Sequence, residues 1–592
     1  MKCRQEFKLT EEKKERIGVY VCHCGGNISD YVDVKKVVEE IKKGEPNAII
    51  VKDLMFDCAD ASQSEMIEDI KAQKLDRVVV AACSPKLHEA TFRNMAKRAD
   101  LNPYMLYHAD IREQSSWAHE GDMEGATSKA LAHVRAAIAY VKSAEPLEKI
   151  KSETTHSVLI IGGGIAGLRA SIDLSRMGVN VILVERSPAL GGHLAELGEI
   201  YPYYTSGPEI VKGLVDELKG RDNVVIYTNA TVASYSGYLG KFEVKVKVTH
   251  RQPGSEYSEI TLHVGSIIVA TGFDTYTPPK GEYGYGTVKG VVTLPDLVKA
   301  LGDGSKELTY EGRRIREMAF IYCVGSRQKP PEDGGHSNLY CSRYCCNAAT
   351  SQALTIHRKF NNVKIYHLYR DMRTYGRNEL MYEDAAKGGS IFIRFDEDHP
   401  PLVAEDGDRC RVTFWSSLIE NQPVDILVDL VVLVTGMEPR QNEELNRTLS
   451  LPAGSDGFYK EVHPKLRPVE TNITGVLISG TAQAPRDVRE TLSSASAAAA
   501  KAASFVLKNE LELDPFVAFV NPEACEAHQE CIKECPYGAI ELVEEFGKKK
   551  ARVTSAKCKG CGACVAVCPT EAIQLKGYTN MEIKSMVEEL AR

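Results

Sequence analysis

No apolar run in this 592-residue chain reaches 18 residues, and the longest candidates, such as Ile426 to Thr435, include charge or stop early. A membrane-spanning helix needs about 20 such residues, so none is expected. The first sixteen residues, MKCRQEFKLTEEKKER, contain no apolar core of the secretory type. A cytoplasmic location is expected, with any membrane link made through a partner. An excess of basic residues is missing too. The formal net charge of −8 speaks against a nucleic-acid binder, which concentrates positive charge on one surface. Apolar content of 43% and charged content of 26% are ordinary for a globular protein. The length calls for about three to four domains.

Cysteine, by contrast, is abundant, with 17 in the chain. Disulfides are not expected in a reducing compartment, and most of these cysteines fall into close clusters, which favours metal ligation. Cys3 and Cys410 stand alone and read as a thiol in a charged tail (1–16) and a packed or exposed strand thiol.

Residues 17–150 read as a small α/β domain. An apolar strand from Ile17 leads into Cys22-His23-Cys24-Gly25-Gly26, a helix is expected from Asp33 to Lys42, and Ala48 to Val51 is strand-like. A loop with Cys58 follows, then the apolar run Val78 to Ala82, which ends at Cys83. Ile111-Arg112-Glu113-Gln114 precedes a long helical pattern, Gly125 to Val141. Ligands of parallel sheets bind at the carboxyl ends of strands, so Cys24 and Cys83 can converge, with Cys22 and Cys58 beside them. The alternative is four buried thiols, since free cysteine is often simply core.

The next domain, 151–515, opens on a dinucleotide signal. A buried strand, Ser157 to Ile161, runs into Gly162-Gly163-Gly164-Ile165-Ala166-Gly167, an amphipathic helix (Leu168 to Met177) and a second strand ending at Glu185. Gly162 permits a tight turn, Gly164 lets backbone approach a pyrophosphate, and Gly167 lets the helix pack closely. Glu185 can accept hydrogen bonds from ribose hydroxyls. Gly191-Gly192-His193, Ala270-Thr271-Gly272, Val431 to Gly436 (VVLVTG) and Gly475 to Gly480 (GVLISG) extend the pattern, before an Ala/Ser-rich helix from Arg489 to Val506. This series resembles the disulfide-reductase-like FAD superfamily and favours FAD over NAD. The cofactor-binding candidates are Gly162, Gly164, Ile165, Ala166, Gly167, Glu185, Gly192, His193, Ala270, Thr271, Gly272, Gly480 and Asp487. No side chain is singled out as catalytic, because the flavin itself is the redox centre.

That superfamily usually carries a second GxGxxG for NAD(P)H between the two turns. After the strand Met318 to Val324 the only glycines nearby are Gly325, Gly334 and Gly335, and they do not form it. Cys323, Cys341, Cys345 and Cys346 fill the place, within a degenerate NAD-like part at about 311–440. Four thiolates suit a [4Fe–4S] cluster or zinc. Adjacent Cys345 and Cys346 face one ion poorly, whereas a cluster accepts both, so the cluster is preferred.

Residues 516–592 repeat with a period of 33, from Cys525 to Cys558. The second copy, Cys558-X2-Cys561-X2-Cys564-X3-Cys568-Pro569, is the run of bacterial two-cluster ferredoxins, in which the fourth cysteine serves the other cluster. One cluster then takes Cys558, Cys561, Cys564 and Cys535. The other takes Cys525, Cys531, Cys568 and the residue in register with Cys561, which is His528. His528 either ligates through an imidazole nitrogen or lies beside a three-iron cluster; ligation is preferred. Lys548-Lys549-Lys550 reads as a solvated hairpin turn.

Taken together the chain resembles the HdrA family of heterodisulfide reductase proteins. The resemblance rests on Cys22-His23-Cys24-Gly25-Gly26-Asn27-Ile28, Ala82-Cys83-Ser84-Pro85-Lys86-Leu87-His88-Glu89, Ile111-Arg112-Glu113-Gln114 and Cys323-Val324-Gly325-Ser326-Arg327. Most specific is Tyr340-Cys341-Ser342-Arg343-Tyr344-Cys345-Cys346-Asn347-Ala348-Ala349. It implies FAD that splits electron pairs between a high- and a low-potential acceptor, [4Fe–4S] clusters (about four here), and a homodimer within a larger complex. The implied partners are ferredoxin, HdrB- and HdrC-like subunits, and an electron-input subunit of hydrogenase or dehydrogenase type. Two departures stand out. Methanogen-type members carry an inserted ferredoxin, yet Tyr201 to Val269 contains no cysteine. Members often read Arg-Glu-Gln-Cys where this chain has Ser115 after Gln114. An N-terminal cluster must then use Cys22, Cys24, Cys58 and Cys83, use a non-cysteine ligand, or be absent.

The expected fold is multidomain α/β: a small N-terminal α/β domain, a Rossmann-like disulfide-reductase-type FAD domain with a degenerate NAD-like subdomain, and an α+β ferredoxin domain. The leading function is an FAD and iron–sulfur subunit of a bifurcating or confurcating oxidoreductase. The alternatives are a non-bifurcating subunit of a quinone-interacting (Qmo-like) complex and, more weakly, an NAD(P)H-dependent reductase.

Overall fold

The computed structural model describes residues 15–249, 258–301, 307–330, 337–360, 362–416, 422–545 and 547–591. Cys3 and most of the expected tail lie outside them. The chain forms two compact units, one of residues 153–511 and one in which 1–152 and 512–592 pack together.

In the second of these, four parallel strands, β1 (Ile17–Cys22), β2 (Ala48–Leu54), β3 (Arg77–Ala82) and β4 (Leu106–Asp110), stand in the order β2-β1-β3-β4. Helices α1 (Val34–Gly44), α2 (Asp60–Gln73), α3 (Pro85–Arg98) and α4 (Met123–Ser143) connect and cover them. Every residue of β1 is buried, as expected of a parallel strand with helices on both faces. The Asp33 carboxylate caps α1 by accepting the Lys36 N–H at 3.0 Å, and Asp122 caps α4 by accepting the Gly125 N–H at 2.9 Å. α4 therefore begins before the expected Gly125.

The C-terminal segment of this unit lies on the same body. The Tyr140 hydroxyl donates to the Gly577 carbonyl at 2.6 Å, and the Arg93 guanidinium stands over the Tyr104 and Phe516 rings at 5.0 and 4.8 Å. Ala518–Val520 pairs with Ile573–Leu575, and Ile540–Glu545 with Lys548–Val553, both antiparallel. Lys548 to Lys550 thus begin a strand, and Lys550 Nζ donates to the Cys525 carbonyl.

The unit 153–511 contains the same plan twice. One five-stranded parallel sheet holds Val224–Tyr227, Asn180–Val184, Ser157–Ile161, Ser266–Val269 and Val476–Ile478, in that order. The other holds Val291–Thr293, Leu430–Thr435, Glu317–Val324, Lys364–Tyr369 and Ile391–Arg394. Each is accompanied by a three-stranded antiparallel sheet, Ala230–Tyr238 to Ser258–Val264 in one and Leu402–Asp406 to Gln422–Val428 in the other. The segments that cross between the halves, Phe273–Thr275 and Met437–Pro439, pair antiparallel. Cys410 is buried, its thiol 3.2 Å from the Lys289 carbonyl, so of the two readings it is the packed thiol.

Candidate flavin and iron–sulfur centres

Ser157–Ile161 delivers the glycine loop to the start of the helix Ile165–Arg176. A Cβ on Gly167 would stand 1.8 Å from the Gly162 carbonyl oxygen, so only glycine lets helix and loop approach this closely. A Cβ on Gly164 would meet nothing within 4 Å. That open cradle, at a helix N-terminus with unpaired N–H groups, suits a pyrophosphate. Gly164 bridges to Gly191 and lays Gly191-Gly192-His193 against the loop. Glu185 accepts the Gly163 N–H at 2.6 Å and the Ser187 N–H at 2.7 Å, so the carboxylate expected at a ribose also fixes the loop. Ala270, Thr271 and Gly272 follow Ser266–Val269, and the Ala270 N–H donates to the Ile161 carbonyl at 2.8 Å. Gly480 donates to Ser494 Oγ at 3.1 Å. Asp487 caps the helix Val488–Val506 in a reciprocal capping box with Glu490.

Three residues beyond the sequence-based set complete this site. The Phe273 ring stacks on His193 with centroids 4.3 Å apart. Arg440 donates through Nε to the Phe273 carbonyl at 3.1 Å and pairs with Asp274 at 3.3 Å. Burial pulls the guanidinium below its ordinary pKa while Asp274 opposes that. Tyr344 lies on the other side of Phe273, at 6.2 Å. Its position directly before Cys345 was the available signal.

Cys323 ends the strand Glu317–Val324, with φ at 63°, and Cys345 and Cys346 open the helix Cys345–Lys359. Burial is the main force raising the Cys345 thiol, and its charged neighbours are Cys346, Cys323 and Cys341. The four predicted thiols are therefore together. Arg327 and Arg370 lie beside Cys323 and draw its pKa down against burial. Such a buried, unbridged thiol set, faced by guanidinium groups, fits an anionic iron–sulfur cluster. Among the described residues no three Cys, His, Asp or Glu side chains group as the ligands of one metal ion, as zinc with its sulfurs about 2.3 Å away would require.

The nicotinamide turn is closed as well as rewritten. A Cβ on Gly325 would lie 2.0 Å from the Tyr276 ring, so that ring fills the space just past the strand. The Tyr276 hydroxyl donates to Glu282 at 2.9 Å and accepts from Gln328 at 3.3 Å. Backbone bonds from Arg327 to Tyr340 (2.8 Å) and Gln328 to Asn338 (2.9 Å) tie the loop shut.

In the ferredoxin segment, Cys564 has Cys558, Cys561 and Cys535 as charged neighbours, and Cys531 has Cys568 and Cys525. Each run thus sends its last cysteine to the other, as the spacing predicts. His528 is 43% exposed, and its imidazole faces Glu526 at 3.5 Å.

In the N-terminal domain the cysteines divide. Cys83 has Arg112, Cys24 and Cys58 nearby, and an Arg112 N–H points to Cys24 Sγ at 3.5 Å. Cys22 stands apart: its sulfur accepts the Asp57 N–H at 3.4 Å and lies 3.8 Å from the Met55 carbonyl. Burial and Asp57 push its thiol well up.

A family of FAD dependent oxidoreductases matches residues 157–247, and a 4Fe-4S dicluster domain family matches 518–575. The fold and these centres define a flavin- and iron–sulfur-dependent oxidoreductase, with FAD and [4Fe–4S] clusters as its cofactors. An HdrA protein of Methanopyrus kandleri, the second iron–sulfur component of that type in its CoB--CoM heterodisulfide reductase, is 36% identical, over 91% of this chain and 92% of its own. The HdrA component of the H(2):CoB-CoM heterodisulfide,ferredoxin reductase of Methanothermobacter thermautotrophicus is 35% identical, over 90% and 93%. An HdrA-like protein of Archaeoglobus profundus is 30% identical, over 98% and 99%. The chain belongs to the HdrA family of heterodisulfide reductase proteins.

Proposed function

We propose that this protein exchanges electrons between flavin and iron–sulfur clusters by bifurcation or confurcation, linked to ferredoxin at the low-potential end and to a disulfide or other acceptor at the high-potential end. The observation that carries the reading is the contact of Phe273, in the flavin half, with Tyr344, next to Cys345, at 6.2 Å. When bound, FAD supplies the exchange between electron pairs and single electrons, and the clusters carry single electrons. Gly164, Glu185 and the start of the helix Ile165–Arg176 would hold the dinucleotide. Cys323, Cys341, Cys345 and Cys346 would hold the neighbouring cluster, with Arg327 and Arg370 offsetting its charge. Tyr276 excludes a nicotinamide from the second half, so this chain's residues favour electrons that come and go singly. The ferredoxin segment, through Cys525, His528, Cys531, Cys535, Cys558, Cys561, Cys564 and Cys568, would wire the flavin half to partners. HdrB- and HdrC-like subunits, an electron-input subunit, ferredoxin and a second copy of the chain fit that role. No helix among the described residues is long and apolar enough to cross a membrane, in keeping with a cytoplasmic complex.

The cysteine-free stretch Tyr201 to Val269 favours a second reading, a simple relay in a quinone-interacting complex. Spectroelectrochemical titration separates the two. Bifurcation predicts that flavin takes up both electrons in one step; two well-separated one-electron steps favour the relay. Reduction of the flavin by NADH alone, without partners, would overturn both.

A further inference from the structure

We propose that the N-terminal domain holds a [4Fe–4S] cluster on the thiolates of Cys24, Cys58 and Cys83, with Ser115 Oγ as the fourth ligand and Cys22 outside the set. The inference rests on reading the chain as an iron–sulfur electron carrier and fixes one of its centres.

The topology brings these residues to one edge. All four strands of the sheet are parallel, so their carboxyl ends lie together, where such sheets take their ligands. β1 leads to Cys24, β2 to Cys58, β3 to Cys83, and β4 through Ile111 to the helical turn Arg112–Ser116. Cys24 is a charged neighbour of both Cys58 and Cys83, and Cys58 of Cys83. The fourth strand delivers Ser115.

Ser115 is completely buried, and its Oγ has no hydrogen-bond partner. A buried hydroxyl left unbonded costs about 1–3 kcal/mol, so a ligand for that oxygen is called for. The next hydroxyl is used differently: Ser116 Oγ donates to the Asn27 carbonyl, which ties this turn to the loop just past Cys24. Arg112, 3.5 Å from Cys24 Sγ, supplies positive charge against three thiolates and an alkoxide. As the Fe–O bond forms, the serine proton leaves to solvent, and no electron moves. Cys22 is the sulfur the site does not need, because the Asp57 N–H already occupies it.

The test uses the full chain, purified anaerobically, with iron counted per chain. Cys58→Ser is expected to lose about four irons and Cys22→Ser none. Brief ferricyanide oxidation of Ser115→Ala should expel one further iron and add a three-iron EPR signal relative to wild type, while Ser115→Cys should resist. The difference from wild type cancels any contribution from the cluster near His528. Equal iron loss in Cys22→Ser and Cys58→Ser would overturn the ligand set. A Ser115→Ala chain that matches wild type in iron and EPR would overturn the serine. Full iron in Cys58→Ser would remove the site altogether, and iron loss on replacing Cys345 and Cys346 would then still uphold the iron–sulfur reading of the chain.

Discussion

Tyr344 and Cys345 share one acceptor: the Tyr344 hydroxyl donates to the Thr435 carbonyl at 2.9 Å, and Cys345 Sγ lies 3.8 Å from the same oxygen. With Phe273 on its other side, the tyrosine is the side chain through which flavin loop and cysteine set touch. Tyr344→Phe keeps the ring and removes the donor. We expect both cofactors retained and stability lowered by about 1 kcal/mol, read as a small fall in the thermal midpoint of flavin release.

Gly164 and Gly167 separate binding from folding. Ala at Gly164 has free space within the protein but enters the cradle for the pyrophosphate, so Gly164→Ala should fold and purify without flavin. Ala at Gly167 collides with the Gly162 carbonyl at 1.8 Å and should damage the domain itself. Circular dichroism with flavin absorbance distinguishes the outcomes.

The crossed ferredoxin ligands predict a pattern in iron counts. Cys535→Ser combined with Cys561→Ser should cost one cluster, about four irons. Cys535→Ser combined with Cys531→Ser should cost two, about eight irons, although the second pair is closer in sequence. Equal losses would show that each run serves a single cluster.

His367 is wholly buried, bonded to the Tyr322 hydroxyl at 2.9 Å and sandwiched between Phe320 and Phe392. Burial lowers its pKa from 6.5 to about 3. Between those values the unfolded chain binds a proton that the folded one refuses. Stability is therefore lost as pH falls through this window, by up to about 1.4 kcal/mol per unit. Thermal midpoints measured from pH 7 to 5 should fall, and fall less in His367→Gln.

Much of this was legible in sequence. The loop Gly162 to Gly167 and the run Cys558 to Cys568 are local patterns whose spacing is dictated by the group they hold. The sheet that carries Cys323 was legible too, because buried parallel strands are near-continuous apolar runs. What was not legible depends on contacts between distant segments. Nothing local says that Tyr140 meets Gly577, or that Tyr276 fills the turn at Gly325. Cys22 and Cys24 look alike in sequence, and only the backbone amide of Asp57 sets them apart. Arg440 follows the Val431 to Gly436 turn by four residues, yet only the pairing of Phe273–Thr275 with Met437–Pro439 brings it to Phe273.

The most direct measurement is the iron and flavin content of the full chain carrying Cys345→Ser and Cys346→Ser together. If these thiols hold a cluster where a nicotinamide loop would stand, the variant keeps its FAD and loses about four irons per chain. Iron unchanged from wild type would contradict the account.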